Sequence, residues 1–345
     1  KVNIEIFHQA QLKKEEKIET MPGVWCWRKS VGIEKVGIYI PGGTAPLFST
    51  VLMLGIPAKL AGCKEVVLCT PPRKDGTVDP AILYAANLVG IQQIYTIGGA
   101  QAIAAMAYGT ATVPKVFKIF GPGNQYVTAA KQLIQQQGVA IDMPAGPSEV
   151  CVYADETAVP AFVAADLLSQ AEHGADSQVV LIASHKNIIE QVQLEIELQL
   201  ANLPRQDFAT KALGHSKAIV VALREDAIHL INTYAPEHLI LSVDNALVVA
   251  EKITNAGSVF IGNYSPESVG DYASGTNHTL PTNGNAKAYS GVSVDSFVKK
   301  ITFQQLTEMG LKNIAQTVIQ MASGEQLEAH AQAVAIRVKD IESKM

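Results

Sequence analysis

The strongest constraint on the fold is a rhythm that begins at Val36. Short β-rich runs alternate with helical patterns: VGIYI, the helix LFSTVLMLGIPAKLAG, EVVLC, the helix DPAILYAANLVG, QIYTIGG, QAIAAMAYG, KVFKIFGPGN and the helix QYVTAAKQLIQQQ. Strands alternating with helices build βαβ units, a mostly parallel sheet with helices on both faces. After Ala145 the rhythm restarts with EVCVYAD, a helix ending at His173, QVVLIAS, a polar helix from Lys186 to about Leu203, KAIVVAL, HLILSV and SVFIG. The expected fold is therefore α/β, with two doubly wound, mostly parallel sheets and a C-terminal helical tail. No charged or Ser-rich linker separates the halves, so they should pack together around a cleft, where ligands of α/β proteins lie.

At 345 residues, 48 % of them hydrophobic, the chain has material for about two domains of roughly 150 residues. The expected divisions are a first α/β domain over 1–145, a second α/β domain over 146–262, an active-site loop region over 263–300 and the helical tail over 301–345. The loop region is expected because NYSPESVGDYASGTNHTLPTNGNAKAYSG, rich in Gly, Ser, Asn and Pro, has hardly any periodicity, and long structureless loops in compact proteins tend to be functional. A net charge of -5 without a long basic run removes the electrostatic case for nucleic acid or an anionic membrane. No segment reaches the roughly 18 consecutive apolar residues of a membrane span. Cys26, Cys63, Cys69 and Cys151 lack CxxC spacing and read as buried thiols in a reducing cytoplasm.

Several residues are suited to chemistry. Gln170 and His173 stand three apart at a helix end, a spacing that stacks them on one face. The loop adds Asp271 and His278, and the last helix adds Glu325 and His330. A His- and carboxylate-containing set without thiolate suits a borderline ion such as Zn²⁺; each residue alone also fits a surface or core role. His8, His185, His215 and His229 read as surface or satisfied core histidines. Glu237 and His238 lie at the entrance of the strand HLILSV, behind Pro236, where they could share acid and base work or simply be a solvated strand start. FGPGNQYV follows a strand and opens a helix whose free N–H groups could hold a phosphate. It is no dinucleotide fingerprint, because Tyr126 stands where G-x-G-x-x-G needs its third glycine, so the sheets are Rossmann-like without that signature. YIPGGTAP and IGGAQA are strand-to-loop turns that could approach a nucleotide or merely need positive φ.

Taken together, YIPGGTAPLFSTVLML, IGGAQAIAA, KIFGPGNQYV, IDMPAGPSEV, DLLSQAEHGADSQV, YAPEHLI, GDYASGTNHTLPT and EAHAQAV resemble the histidinol dehydrogenase family along nearly the whole chain and in the family's order. The resemblance implies a cytoplasmic homodimer that oxidises L-histidinol to L-histidine through L-histidinal, reducing two NAD⁺ and using one Zn²⁺ per active site. It makes Gln170, His173, Asp271 and, from the partner subunit's C-terminal helix, His330 the zinc ligands. It makes Glu237 and His238 the acid–base pair, and implies substrate contacts from Ser148, His278 and Glu325 besides His238 and the ligands. Tyr39, Gln101 and Asn124 fall where the family contacts NAD. Members also carry a segment upstream of the region matching Lys1, so part of the support for the first sheet and the dimer is expected there. Related enzymes oxidise other small alcohols such as sulfopropanediol, and Gln170, His173 and Asp271 with Glu237 as base would also serve a zinc hydrolase.

Overall fold

The structure, a computed structural model, describes residues 1–12, 14–42, 46–144 and 146–344. The turn at 43–45 within YIPGGTAP lies outside the described residues.

Helix α1 (Val2–Gln9) is followed by the hairpin β1 (Ile18–Met21) and β2 (Val24–Gly32). The first α/β layer then runs β3 (Lys35–Tyr39), α2 (Phe48–Leu60), β4 (Glu65–Thr70), α3 (Pro80–Val89), β5 (Gln93–Thr96), α4 (Gly99–Tyr108), β6 (Lys118–Phe120), α5 (Gln125–Gln135) and β7 (Ala140–Ile141). The second runs β8 (Glu149–Ala154), α6 (Pro160–Ala171), β9 (Gln178–Ala183), α7 (Lys186–Leu200), α8 (Gln206–His215), β10 (Lys217–Val220), α9 (Arg224–Tyr234), β11 (His238–Ser242), α10 (Ala246–Ala250) and β12 (Ser258–Ile261). Each layer is a five-stranded sheet, ordered β5-β4-β3-β6-β7 and β10-β9-β8-β11-β12, with its strands paired in parallel. The strand order therefore reverses between β3 and β6 in one sheet and between β8 and β11 in the other. Such switch points open the crevices that bind ligands.

Local signals explain the elements. Helix α3 starts where Asp79 caps the N–H of Ala81 ahead of Pro80, and stops at Gly90 in the left-handed region. Helix α2 shows little periodicity because Val51, Met53, Leu54, Ile56 and Ala58 are all buried in the first core. At the first switch point Gly121 adopts φ +124°, and a Cβ there would lie 2.1 Å from the Tyr39 carbonyl oxygen.

After β12 come α11 (Glu267–Tyr272), two short 3₁₀ turns, β13 (Val298–Leu306), α12 (Glu308–Gly324) and α13 (Glu328–Ser343). The chain divides into two compact units, one of residues 1–11 and 32–297 and one of residues 12–31 and 298–345. The second unit is a three-stranded sheet, β1-β2-β13, with a helical hairpin, α12 and α13. Trp27 of β2 stacks on Phe303 of β13 at 5.4 Å. Residues 301–306, expected in the helical tail, thus belong to a strand. The strand is mostly exposed, so its Lys and Gln residues mask the alternation, and pairing with a distant segment decides its state.

Candidate active site

The C-terminal edge of the first sheet and the N-terminal edge of the second border one small pocket within the first unit. Gly121, Pro122, Asp142 and Met143 line it from one side, Ser148 and Glu237 from the other, with His278 and Thr282 from the segment between them.

Glu237 and His238 owe their position to a forced stop. Helix α9 ends with Ala235 in the left-handed region (φ 56°), and Pro236 cannot continue it, so the chain turns and β11 begins at His238. Gly257 packs against this turn, where a Cβ would stand 2.5 Å from the Glu237 carbonyl oxygen. β11 lies between β8 and β12 with His238 opposite Val150 and Ser258. The Glu149 main-chain N–H donates to Glu237 Oε2 (3.0 Å), and His238 Nδ1 donates to the Glu149 carbonyl oxygen (3.2 Å). A carbonyl only accepts, so Nδ1 carries the imidazole proton and the Nε2 lone pair is left bare. Nε2 has no hydrogen-bond partner and lies 3.8 Å from Asp271 Oδ1. Burial pulls the His238 pKa down to about 3, against the bond to Glu149, so the ring is neutral near pH 7.

Carboxylates crowd this imidazole. Glu237 and Glu267 approach Nδ1 to 3.6 and 3.7 Å, and burial pushes both carboxyls well above the usual range. Burial also raises Asp271 and Asp166 to about 7. His278 is fixed through Nδ1 on the Asp271 carbonyl oxygen (3.1 Å) and Nε2 against Thr50 Oγ1 (3.0 Å), and burial lowers it to about 4.

The first unit brings together Ser148, Glu237, His238, Asp271 and His278; Gln170 and His173 stand on the helix end beside them. Asp271 sits on helix α11 rather than on the expected loop. The helix before His173 ends two residues early, at Ala171, and His173 is exposed in the following turn, its N–H on the Gln170 carbonyl oxygen. Glu325 and His330 lie on the second unit, both exposed around the turn between α12 and α13.

Two site carboxylates escape a reading by motif, Asp166 and Glu267. Each stands one helical turn before a candidate ligand, at i, i+4 to Gln170 and to Asp271, and that spacing is the signal that could have found them. The buried pair Lys131–Asp142 (2.5 Å) was equally silent.

The donors suit a divalent cation. Gln170 is fully buried with neither amide atom partnered, and Glu267 Oε2 and His238 Nε2 are likewise bare. Ligand atoms of His238, Glu267 and Asp271 lie within 4.8 Å of one another. Buried, unsatisfied oxygen and nitrogen donors without thiolate fit a borderline ion.

Tyr39, Gln101 and Asn124 occupy the C-terminal edge of the first sheet. Tyr39 ends β3 and its hydroxyl accepts the Gly99 N–H (3.0 Å), Gln101 stands in the first turn of α4, and Asn124 caps α5. Tyr39 and Asn124 thus flank the switch point. Gly99 in the IGGAQA turn has positive φ, which leaves both readings of that turn open. At the α5 N-terminus, which the sequence offered as a place for a phosphate, the Asn124 side chain accepts from the N–H groups of Tyr126 and Val127.

A family model described as histidinol dehydrogenase matches residues 1–338. The histidinol dehydrogenase of Bacteroides thetaiotaomicron is 62 % identical over 341 residues, covering 99 % of this chain and 80 % of that protein. The crystal structure of histidinol dehydrogenase from Elizabethkingia anophelis superposes with a TM-score of 0.97 at 61 % identity, over 99 % of this chain and 79 % of that one. An NAD-dependent aldehyde dehydrogenase of Sinorhizobium meliloti shares the fold alone, with a TM-score of 0.58 at 15 % identity over 88 % of this chain and 72 % of that one.

Proposed function

This chain belongs to the histidinol dehydrogenase family and is an oxidoreductase of histidine biosynthesis; from that premise we propose how its residues carry L-histidinol through L-histidinal to L-histidine. Gln170, His173 and Asp271 hold one Zn²⁺ together with His330 of a second copy, and Tyr39, Gln101 and Asn124 hold NAD⁺. Bound there, zinc would supply a Lewis acid that positions the substrate, and NAD⁺ would supply the hydride acceptor for each half-reaction. Ser148, His278 and Glu325 steady the substrate.

His238 Nε2 takes the hydroxyl proton as the carbinol carbon is oxidised, which needs a neutral ring with a free lone pair. Glu237 then takes a proton from the water that adds to the aldehyde carbon, and His238 accepts the hydrate's proton in the second oxidation. Burial makes the Glu237 carboxylate a stronger base once ionised. The observation that carries this reading is the bare, buried Nε2 of His238, its other nitrogen anchored to Glu149.

The shared-site homodimer is supported by two exposed features: the turn bearing Glu325 and His330, and the apolar residues Tyr264 (90 % exposed), Val269 and Tyr272 in and before α11. The setting we infer is a reducing cytoplasm, in keeping with four free cysteines and with no helix of the described residues long and apolar enough to cross a membrane. The sulfopropanediol and hydrolase alternatives are not favoured by 62 % identity to a histidinol dehydrogenase.

The test is NADH absorbance on adding histidinol and NAD⁺. Two NADH per histidinol, lost on chelation and regained with zinc, is expected; product without NADH would overturn the oxidation.

A further inference from the structure

We propose that Glu149 is the positioning residue for both members of the acid–base pair, a role that rests on the reading of Glu237 and His238 above. Glu149 opens β8, and the ladder between β8 and β11 starts one residue later, with Val150 opposite His238. In a strand the N–H and C=O of one residue point the same way, and those of Glu149 face the chain entering β11. The ladder leaves the N–H without a backbone acceptor, and a carbonyl oxygen has two lone pairs, so a side chain can bond each. The N–H takes Glu237 Oε2 at 3.0 Å, and the C=O takes the Nδ1 proton of His238 at 3.2 Å. One residue therefore fixes the carboxylate of one partner and the tautomer of the other.

The Glu149 side chain keeps that backbone in place. It is 6 % exposed, its Oε1 accepts the Asn283 N–H (2.7 Å), and its Oε2 accepts from the Tyr234 hydroxyl (3.0 Å). Tyr234 ends α9, three residues before Glu237, so the same side chain ties the start of β8 to the turn that delivers the pair. The Tyr234 oxygen also lies 2.9 Å from Gln178 Oε1. Tyrosine has one proton for two acceptors. A primary amide at position 149 would resolve this, its oxygen accepting from Asn283 and its NH₂ donating to Tyr234, whose own proton then goes to Gln178. The work needs a donor and an acceptor in the shape of a carboxyl group, and a primary amide has both.

The experiment compares Glu149→Gln, Glu149→Ala and Tyr234→Phe in the zinc- and NAD⁺-supplied enzyme, reading kcat, KM for histidinol, thermal midpoint and the His238 ring tautomer by ¹⁵N NMR. Glu149→Ala should lower kcat about 10–100-fold, the usual cost of an orienting partner, with KM for histidinol nearly unchanged and a mixed His238 tautomer. Glu149→Gln should restore kcat to within about threefold of wild type and keep the Nδ1–H form, since it preserves the bonding pattern. Unchanged kcat and tautomer in Glu149→Ala would overturn the proposal, as would equal damage from Gln and Ala, which would assign the carboxyl a proton-transfer role. Should Glu149→Ala not fold, Tyr234→Phe decides: a lowered kcat at constant KM supports the role, and an unchanged kcat removes it. If wild type fails to oxidise histidinol, the functional reading fails, while the tautomer readout still judges the positioning.

Discussion

Glu237 and His238 are adjacent in the chain, yet their surroundings differ, and so does the work proposed for them. His238 keeps one nitrogen anchored and one bare, which suits the proton removal proposed for both oxidations, whereas Glu237, its Oε2 on the Glu149 N–H, is proposed to act on the water that only the second oxidation consumes. Glu237→Gln keeps the shape and removes the base, so single-turnover NADH formation from histidinal should fall by about 10²–10⁴ while the first hydride transfer from histidinol survives. His238→Asn should impair both. Equal losses on the two substrates for Glu237→Gln would sink the division of labour. At the same scale, His173→Ala should release the metal with the fold intact, because an exposed turn residue adds little to the core. Elemental analysis checks this, and a variant retaining one zinc per chain would remove His173 from the ligand set.

Ionisable side chains on two helices beside the site act on stability in opposite senses. Lys131 of α5, 2 % exposed, reaches back to Asp142 at 2.5 Å and to the Gly121 carbonyl oxygen at 2.9 Å, while Asp142 accepts the N–H groups of Gly121 and Met143. This clamp shapes the loop between β6 and α5 at the pocket's wall. Removing one partner of a buried pair leaves an uncompensated charge, so Lys131→Met should cost about 3–5 kcal/mol in urea unfolding; a loss under about 1 kcal/mol would show Asp142 sufficiently served by its N–H donors. On α6, Asp166 behaves in the opposite sense. Its folded pKa of about 7 lies above the ordinary 3.8, so the folded chain binds the proton more tightly and its contribution, full below about pH 4, is lost as pH rises through 7. In metal-free protein Asp166→Asn should therefore gain on wild type between pH 4 and 7 and level off above, by on the order of 1–3 kcal/mol. The same difference at pH 5 and pH 8 would show that burial is not what raises this carboxyl.

For the whole molecule, the question is how many chains complete one site. The first unit supplies the acid–base pair and three of the proposed ligands, whereas Glu325 and His330 belong to the second unit. If His330 serves a neighbour's zinc, His330→Ala and His238→Ala proteins, each inactive, should regain activity when their subunits are exchanged, because one of the hybrid's two sites is then intact. Sedimentation establishes the exchange and NADH formation reads the recovery. No recovery after verified exchange would place each site within a single chain.

The two parallel sheets were legible in the chain, because burial on both faces leaves near-continuous apolar strands such as EVVLC and HLILSV, and helix signals such as Asp79 with Pro80 and Gly90 lie between them. The sequence placed Glu237 and His238 at a strand entrance behind Pro236, but left a solvated strand start open there, which their burial overturns. It could not show β13, whose strand state comes from pairing with β2 across the length of the chain. Nor could it show Asp166, Glu267, Lys131 or Glu149 as members of the site. A charged residue reads as solvated surface unless the fold buries it, and burial at a meeting of two sheet edges is decided by contacts between residues far apart in sequence. Only the tertiary structure brings Glu149 beside Glu237 and His238, where its backbone, a part of the residue that carries no sequence signal, does the holding.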